Sequence, residues 1–313
     1  MPDKTPGEPS TPAEAKIEAV IAKIADWQGR APRYAFVPGG LNNMNWRVRV
    51  AGAAQDFIVK IPGEGSERFI DRVVANDAAV KAFAAGISPE VHYYLPDERV
   101  EVATFLDSVR TANNGDFLIP EVRVNAVRTL RAFHGVAPLS VTKTLFDMID
   151  EHFRQVEEVG APEPPDIAWM KYEYARARAA LEASGLDLVP CMNDTVAANF
   201  LIGADNRVWL IDYDYASMND RGYELALWFG EMFFTPAQEA ELIEDYFGRL
   251  DQQALARIAV YKGLADIKWS TWAMIQHRTS EIDFDFFKYG HWKHMRARSL
   301  LHDPRWPGWL QQL

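Results

Sequence analysis

Apolar and polar side chains alternate twice between residues 46 and 61. Trp46, Val48 and Val50 are interleaved with Arg47 and Arg49, and Phe57, Val59 and Ile61 with Ile58 and Lys60. A period of two puts each apolar set on one face of an extended segment. The two runs therefore predict adjacent antiparallel strands joined by the turn-like Ala51-Gly52-Ala53-Ala54-Gln55-Asp56. Ahead of them the period becomes helical. Ile17, Val20, Ile21, Ile24 and Trp27 recur on one helix face behind Thr11-Pro12-Ala13-Glu14, a capping box with proline at the first helical position. The pattern predicts a helix over 12–27, another around 66–85, and strands near 91–95 and 99–105.

From about residue 107 the pattern is almost wholly helical, with a breaker at Ala161-Pro162-Glu163-Pro164-Pro165. The exception is a hairpin, Asn199-Phe200-Leu201-Ile202 and Arg207-Val208-Trp209-Leu210 around the tip Gly203-Ala204-Asp205-Asn206. Residues 1–11, with prolines at 2, 6 and 9 and no apolar periodicity, are expected to lack order. The division that follows is an α+β chain with a small N-terminal lobe over 12–105, built on an antiparallel sheet, and a larger, mainly helical C-terminal lobe over 106–313. No internal repeat or low-complexity tract interrupts it.

At 313 residues and 48% apolar content, the chain is long enough for two cores. A single cysteine, Cys191, excludes an internal disulfide and suggests a reducing compartment. No apolar run reaches about 18 residues and the start shows no secretory pattern, so the expected location is the cytoplasm, without a membrane span. The net charge of −11 argues against a nucleic-acid partner and suits a small cationic substrate better.

Candidate chemistry concentrates in residues 191–216. Asp194 and Asn199 stand five apart, and Asp212 ends the apolar run Val208-Trp209-Leu210-Ile211, which reads as a buried strand. Phosphoryl transfer from a nucleoside triphosphate needs an acid to take the acceptor's proton and oxygen ligands for Mg²⁺, and kinase catalytic loops carry an aspartate and an asparagine at this spacing. Asp and Asn also cluster in turns; it is the order of loop, hairpin and strand-terminal acid that favours the catalytic reading. Pro38-Gly39-Gly40-Leu41-Asn42-Asn43 lies just before a strand, where it is either a simple turn or a loop whose amides approach phosphate oxygens. Lys60, among apolar neighbours, is either an edge-strand lysine in water or a phosphate-binding one. Trp269 and Trp272 lie one helical turn apart, with Tyr289 following. Such a pair is either core or a wall for an alkylated cation.

Residues 191–216 resemble the catalytic core of the choline kinase and aminoglycoside phosphotransferase superfamily, and within it are most similar to bacterial choline/ethanolamine kinase-like proteins. The resemblance implies a protein-kinase-like two-lobed fold and an ATP- and Mg²⁺-dependent kinase. Its acceptor would be the hydroxyl of a small amino alcohol, with choline or a related methylated amine first. It implies Asp194 as catalytic acid, Asn199 and Asp212 as metal ligands, and Gly39, Gly40, Leu41, Asn42, Asn43 and Lys60 as nucleotide-binding. Segment 103–108 resembles the hinge that meets adenine, which adds Phe105 and Leu106. Trp269, Trp272, Tyr289 and Asp214 fall on the substrate side. Asp220 and Glu224 match a segment that braces the loop.

Two departures stand out. Met192 occupies a position usually held by a histidine that anchors the loop, and it cannot hydrogen-bond in the same way. Ala75 replaces the glutamate that orients the lysine, with Glu67 and Asp77 the nearby acids. Asp77 lies about 200° around the helix from Ala75. The alternatives are an aminoglycoside or other small-molecule phosphotransferase, and an impaired pseudokinase that binds nucleotide. His291 and His294, three apart, are a weak metal pair beside two basic residues, and Cys191 reads as a small buried apolar residue.

Overall fold

Thr11 starts the first helix by accepting a hydrogen bond from the Glu14 N–H at 3.1 Å, and Pro12 takes the first turn, where its missing N–H costs nothing. The computed structural model describes residues 3–7, 9–40, 43–63 and 65–313. Helix α1 (Pro12–Lys23) ends earlier than its pattern suggests, and a 3₁₀ turn over Ala25–Trp27 carries Trp27 into the same apolar cluster. Among the described residues of the segment before it, for which the sequence predicts no order, there are polar contacts that leave no trace in apolar periodicity. Lys4 exchanges backbone hydrogen bonds with Tyr34, its Nζ donates to Glu14 at 2.5 Å, and Asp3 pairs with Arg49.

Strands β1 (Arg33–Val37), β2 (Asn43–Arg49), β3 (Phe57–Pro62), β4 (Val91–Leu95) and β5 (Val100–Thr104) form an antiparallel sheet in the order β1-β2-β3-β5-β4. β1 has a single fully buried residue, Tyr34, which is why apolar alternation gave no sign of it. Trp46, Val48, Phe57, Val59, Ile61, Val100 and Val102 face α1 and make the small core. By the same alternation Lys60 and its cross-strand partner Glu101 face the opposite way.

Helix α2 (Arg72–Ala84) is capped by Asp71, which accepts from the Val73 and Val74 N–H groups; the expected first turn is a separate 3₁₀ piece over Ser66–Arg68. Val74, Ala78, Ala79 and Ala82 of α2 join the larger core rather than the small one. The larger part holds α3 (Pro120–His134), α4 (Leu145–Glu158), α5 (Ile167–Ala183), α6 (Arg221–Met232), α7 (Pro236–Phe247), α8 (Gln252–Thr279), α9 (Phe286–Leu301) and α10 (Trp306–Gln312). Two small sheets are set among them. β6 (Val109–Thr111) pairs with the expected hairpin β8 (Phe200–Gly203) and β9 (Val208–Leu210), while β7 (Leu188–Cys191) pairs antiparallel with β10 (Ser217–Asp220). β7 and β9 deliver the catalytic segments, and no helix among the described residues is long and apolar enough to cross a membrane.

Candidate active site

Strand β7 runs straight into Met192-Asn193-Asp194, and the backbone turns sharply there. Asn193 sits at φ +61°, in the left-handed region that asparagine tolerates better than most residues. The turn is held by Glu224, in the first turn of α6. This fully buried carboxylate accepts the N–H groups of Met192 at 2.6 Å and Asn193 at 2.7 Å. The Asn193 amide then donates to the Tyr215 carbonyl and the Ser217 hydroxyl, both at 2.8 Å, and accepts from Asn219 at 2.9 Å. Met192 itself is packed in the core. Asn193, adjacent in sequence, thus performs the anchoring that Met192 cannot.

Asn199 donates through Nδ2 to the Asp194 carbonyl at 2.8 Å and to its carboxylate at 3.3 Å. The Ile211 N–H donates to the Asn199 carbonyl at 3.0 Å, which lays the segment leading to Asp212 beside Asn199. Asp212 also holds a left-handed conformation, φ +67°, so both turns that aim site residues carry strain that the surrounding bonds must offset.

Lys60 is no edge-strand lysine in water. From central strand β3 its Nζ reaches Asp212 at 2.6 Å and Asp214 at 2.5 Å. Asp214 further accepts from Arg72 at 2.9 Å and Asn43 at 2.9 Å, so the carboxylate expected on the substrate side is committed to Lys60, Arg72 and Asn43. Burial alone would lower the Lys60 pKa, but the charges of Asp212 and Asp214 reverse that and hold it above the ordinary lysine value. Burial and the neighbouring Asp214 charge push Asp212 up. For Asp214 burial pulls the same way but loses to Lys60 and Arg72, which keep it below the usual carboxylate range. Burial pushes Asp194 up to about 7, against the attraction of Lys268.

Neither acid expected near the lysine serves as its counter-charge. Asp77 pairs with Lys81 at 2.6 Å, and Glu67 is exposed. Glu101 stands opposite Lys60 in the sheet register, and Asn76 of α2, next to Ala75, donates to it at 3.0 Å. Asn76 thus ties α2 to Glu101, whose charge adds to those of Asp212 and Asp214 around Lys60 even as burial pushes the Glu101 carboxyl up. Sequence reading missed Glu101 because the link exists only in the β3–β5 register.

Gly39 and Gly40 take φ values of +122° and +83°, where a side chain would be strained. Of the rest of that loop, Leu41 and Asn42 lie outside the described residues, and Asn43 spends its amide on Asp214. At the expected hinge, the Phe105 N–H donates to the Asp56 carbonyl at 2.9 Å and its ring lies under the Arg47 guanidinium at 4.2 Å, with half-buried Leu106 beside it.

The aromatic candidates do converge. Trp269 and Trp272 meet edge to face at 5.4 Å between centroids, Tyr289 approaches Trp272 at 6.3 Å, and Tyr215 joins Trp269 at 5.6 Å. Their faces are not free, however. The Lys268 Nζ lies 3.1 Å from the Trp269 centroid and 4.8 Å from that of Tyr215. Lys293, paired with Glu231, lies 5.3 Å from the Tyr289 ring. The weaker metal pair is not assembled: His294 meets Asp166 and His291 meets the Phe287 carbonyl. Burial raises the Cys191 thiol far above its ordinary value, as an inert core residue requires.

The sequence profile of the choline/ethanolamine kinase family matches residues 35–247. The chain belongs to the choline/ethanolamine kinase family. Probable choline kinase 2 of Arabidopsis thaliana is 24% identical to it, over 89% of each chain. A choline/ethanolamine kinase family protein from Mesorhizobium loti superposes with a TM-score of 0.83 at 28% identity, covering 96% of this chain and 98% of that one. Choline kinase LicA from Streptococcus pneumoniae superposes with a TM-score of 0.75 at 21% identity, over 92% and 99%. The fold is the protein-kinase-like two-lobed one, and the family is one of phosphotransferases.

The oxygen donors fit the divalent cation that such a kinase implies. Asn199 spends its Nδ2 on Asp194, which leaves the amide oxygen as a ligand atom, and Asp212 offers a carboxylate; hard oxygen ligands of this kind suit Mg²⁺.

His152 packs behind the aromatic wall, bonded to the Lys268 carbonyl at 3.1 Å. Burial, with Lys268 nearby, pushes its pKa down to about 3. The unfolded chain takes up a proton below about pH 6.5 that the folded chain refuses, so stability falls as pH drops from about 6.5 toward 3, by about 1.4 kcal/mol per unit. Urea midpoints of wild type and His152→Gln measured between pH 7 and 5 should converge as the pH falls. A constant difference between them would remove this group as the cause.

Proposed function

We propose that the protein transfers the γ-phosphoryl group of ATP to the hydroxyl of a small acceptor. The convergence of Lys60, Asp194, Asn199 and Asp212, drawn from three separate segments, carries this reading. Asp194 receives the hydroxyl proton as the oxygen attacks. The pKa near 7 leaves it a competent base at neutral pH, poised rather than fully ionised. Lys60 neutralises phosphate charge as the bond to the leaving group loosens, held in place by Asp212 and Asp214. Bound between Asn199 and Asp212, Mg²⁺ supplies charge neutralisation at the phosphate oxygens. The glycine loop at 39–43 covers the phosphates and the 103–108 segment meets the base. Residues 12–105 then act as the nucleotide lobe and 106–313 as the acceptor lobe, although α2 packs with the latter. We place the protein in the cytoplasm, where ATP and Mg²⁺ are plentiful.

Aromatic walls at Tyr215, Trp269, Trp272 and Tyr289 support an amino alcohol such as choline as acceptor, and the Lys268 amine on the Trp269 face, pushed down to about 7 by burial, can give up its charge when a cationic head group enters. A coupled ADP-release screen over choline, ethanolamine, its methylated forms and small hydroxy acids tests the reading. ADP release that depends on an acceptor supports it, and release that no acceptor stimulates contradicts it.

A further inference from the structure

Cations of the chain itself lie on the aromatic faces of α8 and α9, and they differ in what neutralises them. Lys293 is 5.3 Å from the Tyr289 ring and 5.1 Å from that of Trp292, and it is paired with Glu231. Arg296 is 5.0 Å from the Trp292 ring and paired with Asp266 at 2.9 Å. Lys268 has no such carboxylate. It is 1% exposed, 3.1 Å from the Trp269 centroid and 4.8 Å from that of Tyr215, and among the described residues its Nζ meets no hydrogen-bond acceptor. As an ammonium it would have exchanged its hydration for ring quadrupoles alone. Lys268 and Tyr215 also line a cavity of about 520 Å³, so the amine borders open space rather than solid packing.

The charges that act on Lys268 oppose one another. Asp194, in the loop after β7, attracts it most, and Glu231 of α6 adds a smaller attraction, while Lys143 ahead of α4 and Lys293 of α9 repel it. His152 of α4, bonded to the Lys268 carbonyl, is kept neutral by burial. Burial outweighs the attraction and brings the amine down to about 7, so it sheds its proton readily near neutral pH, and more so when a second cation arrives beside it. The neutral amine gains a lone pair. Around it the indole N–H groups of Trp269 and Trp272 are buried donors without acceptors, and the rest of the wall is ring face. Ring faces attract any alkylated cation, with or without hydrogen on its nitrogen, whereas a lone pair takes a hydrogen bond only from one that bears an N–H.

We propose that Lys268 is a specificity-determining residue that selects amino alcohols bearing an N–H, ethanolamine and its mono- and dimethyl forms, over quaternary choline, by offering its Nζ lone pair to that hydrogen. The inference rests on the amino-alcohol reading above and narrows it. A trimethylated nitrogen has no hydrogen to give, and it meets a Trp269 face on which the lysine already lies. An ammonium with one N–H left keeps the aromatic contact and adds a charge-assisted hydrogen bond to a buried acceptor.

Titration calorimetry on the intact protein slightly above neutral pH, with Mg²⁺ and a non-hydrolysable ATP analogue present, tests it with ethanolamine, its N-methyl and N,N-dimethyl forms, and choline. All four are cations there, and every one but choline bears an N–H. Affinity should vary by no more than a few fold from ethanolamine to the dimethyl form and then drop about 10-fold or more at the last methyl group, the loss expected of one charge-assisted hydrogen bond. Lys268→Met, apolar and of similar length, should remove the step and bind choline at least as tightly as ethanolamine. Lys268→Gln retains an acceptor oxygen and should keep the step. A wild type whose affinity holds level or rises through the last methylation would overturn the proposal, whether or not either variant folds, and so would a step that survives in Lys268→Met. Both outcomes leave the amino-alcohol reading standing. Binding of none of the four would overturn that reading and this inference with it.

Discussion

Asp194→Asn is expected to lower kcat by about 10²–10⁴-fold while leaving the affinity for Mg²⁺–ATP within a few fold of wild type. The amide is isosteric and keeps the contact with Asn199, so the loop geometry survives. What it removes is the ability to take a proton from the acceptor hydroxyl. Positioning and charge neutralisation by Lys60 and the metal ligands continue to supply part of the rate, which bounds the loss. A kcat within about tenfold of wild type would show that the proton leaves by another route, and that Asp194 only positions the acceptor. Loss of nucleotide binding together with turnover would mean that the substitution disturbed the loop instead.

Glu224→Ala carries the largest expected cost in stability. Two backbone N–H groups, of Met192 and Asn193, lose their acceptor in a fully buried place, and His134 loses a partner at 3.3 Å. Each buried donor left unsatisfied costs about 1–3 kcal/mol, which gives about 2–6 kcal/mol for the pair in urea denaturation. Turnover should fall as well, by about 10²-fold, because an ångström of displacement at Asp194 is enough to spoil the alignment with a phosphoryl group. Glu224→Gln keeps one acceptor oxygen and should fall between the two. Unchanged stability in Glu224→Ala would mean that the strained turn at Asn193 is held by its own side-chain bonds to Tyr215 and Ser217.

What could be read from the sequence was what the chain keeps local. Asp194 and Asn199 share one loop, Asp212 closes the next strand, and Trp269 and Trp272 occupy one helix face, so spacing alone brings each set to notice. The residues that were missed act across long intervals. Glu101 meets Lys60 through strand register, Arg72 reaches Asp214 over 142 positions, and Asn193 ties its loop to 215–219. No periodicity encodes such pairings. Lys268 was hidden for a different reason: its aromatic neighbours in sequence drew attention to the walls of a pocket rather than to the cation lying on them. Beside the two departures, Met192 and Ala75, the structure sets the Asn193 bonds to Tyr215 and Ser217 and the Asn76–Glu101 pair, neither of which sequence spacing reveals. The expected hairpin at 199–210 and the small antiparallel sheet appear where alternation placed them; β1 escaped notice because only Tyr34 of it is fully buried, while β6, β7 and β10, short and poorly patterned, depend on partners well away in sequence.

A crystal structure with Mg²⁺ and a non-hydrolysable ATP analogue tests the central claim most directly. The outermost phosphate should lie between Lys60 and the metal, the metal should be held by the Asn199 and Asp212 oxygens, and the Asp194 carboxylate should face the side of that phosphate away from the leaving group. A nucleotide bound elsewhere, or with its outermost phosphate out of reach of Asp194, would contradict the account.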